Sequence, residues 1–545
     1  MSEATQRHIQ RFSTLRTDRS SWDNQWEEAA SLVLPMHRDS FLARGMTNDI
    51  GMGGQKKTES QFDATAAFAV QRFSSVIESL VTPQNSRWHN LKPVDAALRK
   101  NRAARLFFDE LTDMLFNYRY RPVANFVGNS QQSYLGLGAY GNGALFIDQP
   151  DNARGLRYRN MHLGETYFAE NHAGIVDTVY RCFWLTARQI IQQFGRAAVP
   201  EAITAAADQP TQADKKFEIL HCVYPSTDYD PTRLDALGRP YASLYILVQD
   251  QSLLQRDGYH SFPYAIARYT QASGEIYGRG PAQWVLPSIK VINEQKKTML
   301  RQGHRAVEPV YLTHDDGILG NFSVKPGSVV PGGMNKDGKP LVGALPVGNV
   351  NLGDKMMEME RNIINDAFLI TLFQILIDTP QMTATEVLER AKEKGLLLAP
   401  TAGRMQAEFL GPLIERELSV MAAQGLWPRV PQILQDVEIE YRVEYDSPMS
   451  RMQRAEKASG FMHALNVAAE YAKNTQDPSP LDWFNFDEAM PEIIDIQGAP
   501  TSWTRSLEEV KALREQRSQA QQQQQMLDAA PAMASVVKGA PNLVQ

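Results

Sequence analysis

The 545-residue sequence predicts an α+β fold, a mixed body from which two long helices project around a small separate module. Three observations carry this expectation. Helix-periodic segments crowd residues 1–140, and short runs rich in aromatic and β-branched residues follow as far as residue 270. A long helical segment then runs out from Pro281, and another returns to Asp378. Between them lies a Gly/Pro-rich excursion, Arg305 to Leu352, too long for a turn and expected to form a small structure of its own.

Taken in order, residues 5–34 predict one amphipathic helix, with Trp22, Trp26, Ala29, Ala30 and Val33 at helical spacing and Pro35 closing it. Residues 36–60 read as a Gly-, Met- and Asn-rich loop. Ala64–Val81 is a second helix with a stripe of Phe68, Phe73, Val76, Ile77 and Leu80, stopped at Thr82-Pro83. Ala96–Asn117 and Asn125–Leu137 are two more. Ala144–Asp148, Thr166–Glu170, Asp177–Trp184, Phe217–Tyr224, Tyr241–Gln249 and Tyr264–Tyr269 predict strands. Thr186–Phe194 reads as a helix among them, capped by Thr186 and ended at Gly195. Residues 1–280 thus read as one mixed domain.

The outgoing helix counts 23 residues from Ala282 to His304, roughly 35 Å at the standard rise. Pro287 near its first turn predicts a kink or a late start. Val285, Ile289, Ile292 and Met299 share one side; Lys290, Glu294, Lys297, Arg301 and Arg305 share the other. The return helix carries Ile363, Ile364, Phe368, Ile370, Phe373, Ile375 and Leu376 around most of its circumference, so it is expected to be buried by neighbouring helices. Beyond it, Thr383–Lys394, Arg404–Gln424, Ser450–Asn474 and Ser506–Gln525 read as helices, Val437–Tyr445 as a strand, and the Gln-rich end as a frayed tail.

Composition narrows the function. Hydrophobic residues at 43% and charged residues at 22% are ordinary globular values, and the length implies several modules. With 56 Lys+Arg against 62 Asp+Glu the net charge is −6, so no overall basic field draws the chain onto nucleic acid, and any DNA contact is local. Cys182 and Cys222 are too few for a disulfide framework and read as reduced, buried thiols. The polar N-terminus lacks a signal-peptide core, and Ala367–Ile377 is too short to span a bilayer. A cytoplasmic, soluble protein without membrane contact is the expectation.

The motifs argue against catalysis. Gly136-Leu-Gly138-Ala-Tyr-Gly141 matches a dinucleotide fingerprint as text, but a helix precedes it and a strand follows, the reverse of what a phosphate needs; it reads as a turn. Gly51 to Thr58 has Lys56 where a phosphate loop requires glycine, so a flexible basic loop is the stronger reading. His314-Asp315-Asp316 beside Gly317 reads as a solvated turn before a metal site. His221 and Cys222 adjoin on a strand, face opposite ways and cannot share a metal. No catalytic, cofactor or metal site is expected. What is left is the basic face of Lys290, Lys297, Arg301 and Arg305. It either faces DNA phosphates in a channel built from several copies, or pairs with Glu358, Glu360 or Asp366 on a neighbouring return helix.

Several stretches, in order, carry a family resemblance. Trp26-Glu27 through Val33-Leu34-Pro35 leads to the Ala64–Val81 helix and then Thr82-Pro83 and Arg87-Trp88-His89. Thr186-Ala-Arg-Gln189 with Phe194-Gly195 precedes Glu275-Ile-Tyr277-Gly278-Arg279-Gly280-Pro281. Thr383-Ala-Thr385-Glu386-Val387 with Arg390, Gly411-Pro412-Leu413-Ile414 with Arg416, and Tyr445-Asp-Ser447-Pro448-Met449 with Ala455 complete the series. Over Trp22 to Asp495 the chain resembles the portal proteins, or head-to-tail connectors, of short-tailed bacteriophages.

The resemblance implies a homo-oligomeric ring, commonly of twelve subunits, at one capsid vertex of the virion. Residues 1–280 would be wing, 281–305 outgoing stem, 306–350 clip and 351–378 returning stem. A tunnel loop and connecting helix would occupy 379–402, wing return and crown 403–505, and a C-terminal helix with its tail 506–545. It further implies double-stranded DNA in the channel, contacts with the major capsid and scaffolding proteins, docking of the terminase large subunit, whose ATPase drives packaging, and later a tail adaptor protein. His314, Asp315, Asp316, Lys325, Lys336 and Lys339 are the clip's docking candidates; Ile363, Ile364, Phe368 and Phe373 are the subunit-contact candidates. The competing readings are a structural capsid or tail component without a DNA channel, and a DNA-processing enzyme using the 36–60 loop and Asp148.

Overall fold

The computed structural model describes residues 3–42, 56–150, 153–309, 311–313, 329, 334, 336–344, 350–370, 400–435, 440–445, 448–475, 477, 479–496, 503–505 and 509–522. They form a mixed helix-and-sheet protein with two compact units, one drawn from residues 1–84 and 119–424, the other from 85–118 and 425–545.

The first unit is organised by an antiparallel meander of five strands, Thr166–Glu170, Val176–Thr186, Lys216–Pro225, Tyr241–Leu247 and Ser252–Tyr259, adjacent in that order. Strand alternation splits its side chains between two layers. Phe183, Phe217, Ile219 and Leu247 pack beneath the helices Ala187–Phe194 and Glu201–Asp208 through Ile190 and Ile203. Tyr180, Leu220, Cys222 and Ile246 pack on the other face against Phe12 of the first helix. His221 and Cys222 therefore do point apart. His221 donates to or accepts from Ser243 Oγ at 3.0 Å and stacks on Tyr245 at 4.0 Å, while burial raises the Cys222 thiol.

A second sheet sets Asn142–Asp148 between Arg157–Asn160 and Tyr264–Arg268. The strands Arg157–Asn160 and Ser252–Tyr259 escape sequence reading because each is a sheet edge whose outward face is polar. The helix Phe126–Tyr140 packs over this sheet and against Thr65–Val81. The glycines of the false fingerprint explain the closeness. A Cβ at Gly138 would stand 2.8 Å from Phe73 Cδ1, and Gly141 ends the helix at φ 75° with Gly278 and Gly280 directly against it. On Thr65–Val81, Phe73 and Ile77 are buried as expected, but Phe68 is 62% exposed and small residues, Ala66, Ala69 and Ser74, complete the inner face.

The single helix expected over residues 5–34 is two, Glu3–Asp18 and Ser20–Val33. The break falls at Arg19, whose buried guanidinium donates to the carbonyls of Leu163 (2.9 Å), Gly164 (3.2 Å) and Thr166 (2.6 Å) and lies 3.6 Å over the Tyr167 ring. A buried cation must find such acceptors, and a straight amphipathic pattern carries no sign of them.

In the second unit, His89–Pro93 pairs antiparallel with Tyr441–Tyr445, and Lys92 Nζ lies 3.0 Å from Glu444 Oε2. Arg102 Nη1 donates to Glu509 at 2.7 Å, and Phe107 meets Trp427 edge-on at 6.5 Å. The helices Pro448–Thr475 and Phe486–Ile496 also belong here. Residues 85–118 thus group with the chain from Gly425 onward, and the two units divide at Gln424/Gly425. A strand pairing between distant parts of the chain leaves no local periodicity to read.

Candidate functional site

The site begins at a joint. Gly280 and Gln283 form a capping pair that starts the short helix Pro281–Trp284, and Leu286–Val307 follows as a separate helix with Pro287 in its first turn. Pro287 thus produces a late start, as its fixed φ and missing N–H favour. The preceding motif holds the joint: Tyr277 is buried, its hydroxyl accepts from Phe168 N at 3.2 Å, and its ring packs edge-on to Trp26 at 5.1 Å. Gly278 N donates to Asn142 Oδ1 at 2.8 Å, and Asn142 Nδ2 returns a bond to Gly278 O at 3.0 Å.

The outgoing helix, 22 residues and roughly 33 Å long, packs against the return helix Val350–Ala367. Their close approach depends on Gly353, where a Cβ would stand 2.5 Å from Met299 Sδ. The neck of the excursion between them is a two-stranded antiparallel sheet, Tyr311–Thr313 with Val342–Ala344. The return helix stops at Ala367, and Leu369 takes φ 61°, a left-handed conformation that breaks the helical path before Ile370. Residues 371–378, which the sequence reading assigned to it, lie outside the described residues.

A polar clamp, not foreseen from sequence, locks this pair to the rest of the unit. Asn293 is buried, its Oδ1 accepts from Phe62 N (2.7 Å) and Asp63 N (3.3 Å), and its Nδ2 donates to Ser60 O (3.0 Å). Asp63 in turn accepts from Arg361 Nη2 at 3.0 Å and Thr65 N at 2.9 Å. Burial alone would raise the Asp63 carboxyl, but these bonds from Thr65 and Arg361 hold it below the usual range. An asparagine on the inner face of a basic amphipathic helix was the one available sequence signal.

The four basic candidates divide. Lys290 is ion-paired with Glu28, and Lys297 lies 3.3 Å from Glu294 and 5.5 Å from the Phe62 ring. Arg301 and Arg305, at the distal end, are exposed and pair with no acid among the described residues. Glu358 and Asp366 are exposed and Glu360 half-buried; among the described residues none of the three pairs with these cations.

Residues 5–504 match the family of the bacteriophage head to tail connecting protein. The chain belongs to that family. The role that goes with membership is a phage portal role, the connection of head to tail. The portal protein of Salmonella phage epsilon15 is 26% identical over 532 residues, covering 96% of this chain and 92% of its own. The probable portal protein of Bordetella phage BPP-1 is 27% identical over 543 residues, covering 96% and 93%. A solved chain from the virion of native gene transfer agent (GTA) particle covers 76% of this chain and 91% of its own at 11% identity, but its TM-score of 0.33 carries no argument.

Other candidates fall unevenly within this family member. Lys336 and Lys339 are exposed in the excursion, whereas His314, Asp315, Asp316 and Lys325 lie outside the described residues. Ile364 and Phe368 are buried within their own chain, Phe368 meeting Phe73 edge-on at 6.1 Å. Ile363 is 47% exposed, and Phe373 lies outside the described residues. Asp148, named for the enzyme reading, lies 3.6 Å from buried Arg416. Among the described residues, no helix is long and apolar enough to cross a membrane.

Proposed function

We propose that copies of this chain form a ring at one capsid vertex, probed first as the twelve-subunit ring of the family resemblance, whose channel passes double-stranded DNA during packaging and ejection. The helix pair forms one stave of the channel wall, the stem. The excursion, with Lys336 and Lys339, forms the clip that docks the terminase large subunit and then the tail adaptor. The five-stranded sheet belongs to the wing and the helices after Pro448 to the crown, and the ring's further partners are the major capsid and scaffolding proteins.

One observation carries the channel reading. Arg301 and Arg305 stand exposed at the distal end of a rigid helix, while Lys290 and Lys297 nearer the joint are already engaged. Phosphates attract such cations whatever the base sequence, and a few of them in a chain of net charge −6 guide DNA without holding it. On the return helix, Met356, Met359 and Ile363 recur at helical spacing and are exposed, which suits contact with the next stave. The reading gives this chain no catalytic step; the packaging ATPase is the motor's.

Images of the purified protein test the ring directly. A ring with an opening that admits duplex DNA supports the reading, a closed assembly favours a structural component without a channel, and a persistent monomer overturns it. Neutralising Lys297, Arg301 and Arg305 together tests the guiding role, which is wrong if packaging and DNA retention stay unchanged.

A further inference from the structure

Two features of the five-stranded sheet have no part in the channel. The first is a cleft of about 250 Å³ lined by Arg159, Glu165, Arg181, Phe183, Lys216 and Tyr245. Its lining sets three cations against one carboxylate over aromatic rings, so it favours an acidic group with an apolar neighbour. Arg181 is fixed in place: its Nε and Nη2 donate to Glu165 Oε2 at 3.1 and 3.0 Å, and its guanidinium lies 4.0 Å over Phe183.

The second is the loop joining Lys216–Pro225 to Tyr241–Leu247. It holds Leu234 fully in solvent, with Tyr229 46% exposed nearby. One exposed leucine is ordinary, but this one is presented on a braced loop. Asp230 N donates to Leu237 O at 3.0 Å, Asp230 Oδ1 accepts from Thr232 N at 3.0 Å, and Ser226 N donates to Pro240 O at 2.7 Å. Arg233 Nε donates to Asp235 Oδ1 at 3.0 Å, and Arg239 donates to Asp257 and Gly258 O, both at 2.6 Å. A loop so cross-linked gives up little entropy when it docks.

Arg181 and Tyr245 of the cleft pair with His221 at mid-strand and Lys216 begins that strand, while the loop leaves from Pro225, so cleft and loop are separate features whose nearest residues stand roughly 13 Å apart along the strand. Within one chain the two do not meet, since Leu234 stands fully in solvent. Between two copies they can, and a contact between two different patches is head-to-tail, the type that closes into a ring when its rotation allows.

We propose that the 226–240 loop of one copy seats in the cleft of the next, Leu234 and Tyr229 against the half-buried Trp184, Leu185 and Tyr245 that line it, and the exposed Asp228 toward Arg159 and Lys216. This rests on the ring reading and names a contact that helps close the ring. The test joins Leu234→Cys with Gln193→Cys, an exposed position that also lines the cleft, in a Cys182→Ser full-length chain. Mild oxidation is expected to give a ladder of covalent multimers from the double variant and none from either single variant. In sedimentation, Leu234→Asp is expected to weaken association roughly tenfold or more, with an unchanged circular dichroism spectrum to show that it folds. Rings in images without a ladder, and with association untouched by Leu234→Asp, overturn this contact and leave the ring standing. An unsubstituted chain that stays monomeric overturns both. Short duplex DNA that protects Gln193→Cys from alkylation, with no ladder, assigns the cleft to nucleic acid and overturns it as well.

Discussion

Two sets of arginines in the first unit carry the same charge under opposite conditions. In and around the sheets, Arg19, Arg119, Arg268 and Arg416 are buried, and each donates to acceptors brought from distant parts of the chain. Arg268, for example, is shared between Glu170, Glu408 at 2.7 Å and the carbonyls of Ile276 and Gly174. On the outgoing helix, Arg301 and Arg305 are exposed and pair with no acid among the described residues. A buried guanidinium is tolerated only when its donors are satisfied, so it reports on how the fold is held. An exposed one is worth little to stability and keeps its charge available to a ligand.

Glu417 is the most sensitive point of the buried set. Arg119 and Glu417 are both fully buried, Arg119 Nε donates to Glu417 Oε1 at 2.9 Å, and the Tyr158 hydroxyl donates to the same oxygen at 2.5 Å. Glu417→Ala leaves the guanidinium buried without its carboxylate, and denaturant unfolding is expected to register a loss of about 3–5 kcal/mol. Asn293→Ala should cost less, about 1–3 kcal/mol for the two amides and one carbonyl left unmatched. Hydrogen exchange at Phe62 and Asp63 should quicken in that variant, and unchanged exchange would remove the clamp from the account.

A pH effect of intermediate size follows from His221. Burial, with smaller contributions from Arg181 and Arg159, pushes its pKa well below the ordinary value, so the folded chain keeps it neutral. As pH falls below about 6.5 the unfolded chain takes up a proton that the folded chain refuses, and stability drops. Melting temperatures between neutral and mildly acid pH should show this slope, and His221→Gln should flatten it. The smallest stability effect belongs to the joint neutralisation of Lys297, Arg301 and Arg305 to Gln, within about 0.5 kcal/mol. Its signature lies in DNA binding instead, where the salt dependence should become shallower by about 0.9 for each phosphate that the variant no longer neutralises.

Much of this is legible in the chain's local chemistry. The Thr186 cap, the Gly195 stop, the strand Thr166–Glu170 and the late start at Pro287 follow from it, because caps, turns and proline act within one or two turns of chain. The basic stripe is equally plain, since helical periodicity alone puts its members on one face. Which of its members stay free is not, because Glu28 and Phe62 reach Lys290 and Lys297 from elsewhere in the chain.

The sequence by itself determined the order of the strongly periodic helices and strands and the family to which the chain belongs, because these depend on residues close together or on the pattern as a whole. Only the tertiary structure decided that residues 85–118 pair with the strand near Tyr441, that Arg19 splits the first helix, and that Asn293 and Asp63 tie the helix pair down. It also decided that Ile364 and Phe368 turn into their own chain while Ile363 does not. Each of these depends on where distant donors, acceptors and rings come to lie, and a buried polar or apolar group is committed only once its partners are in place.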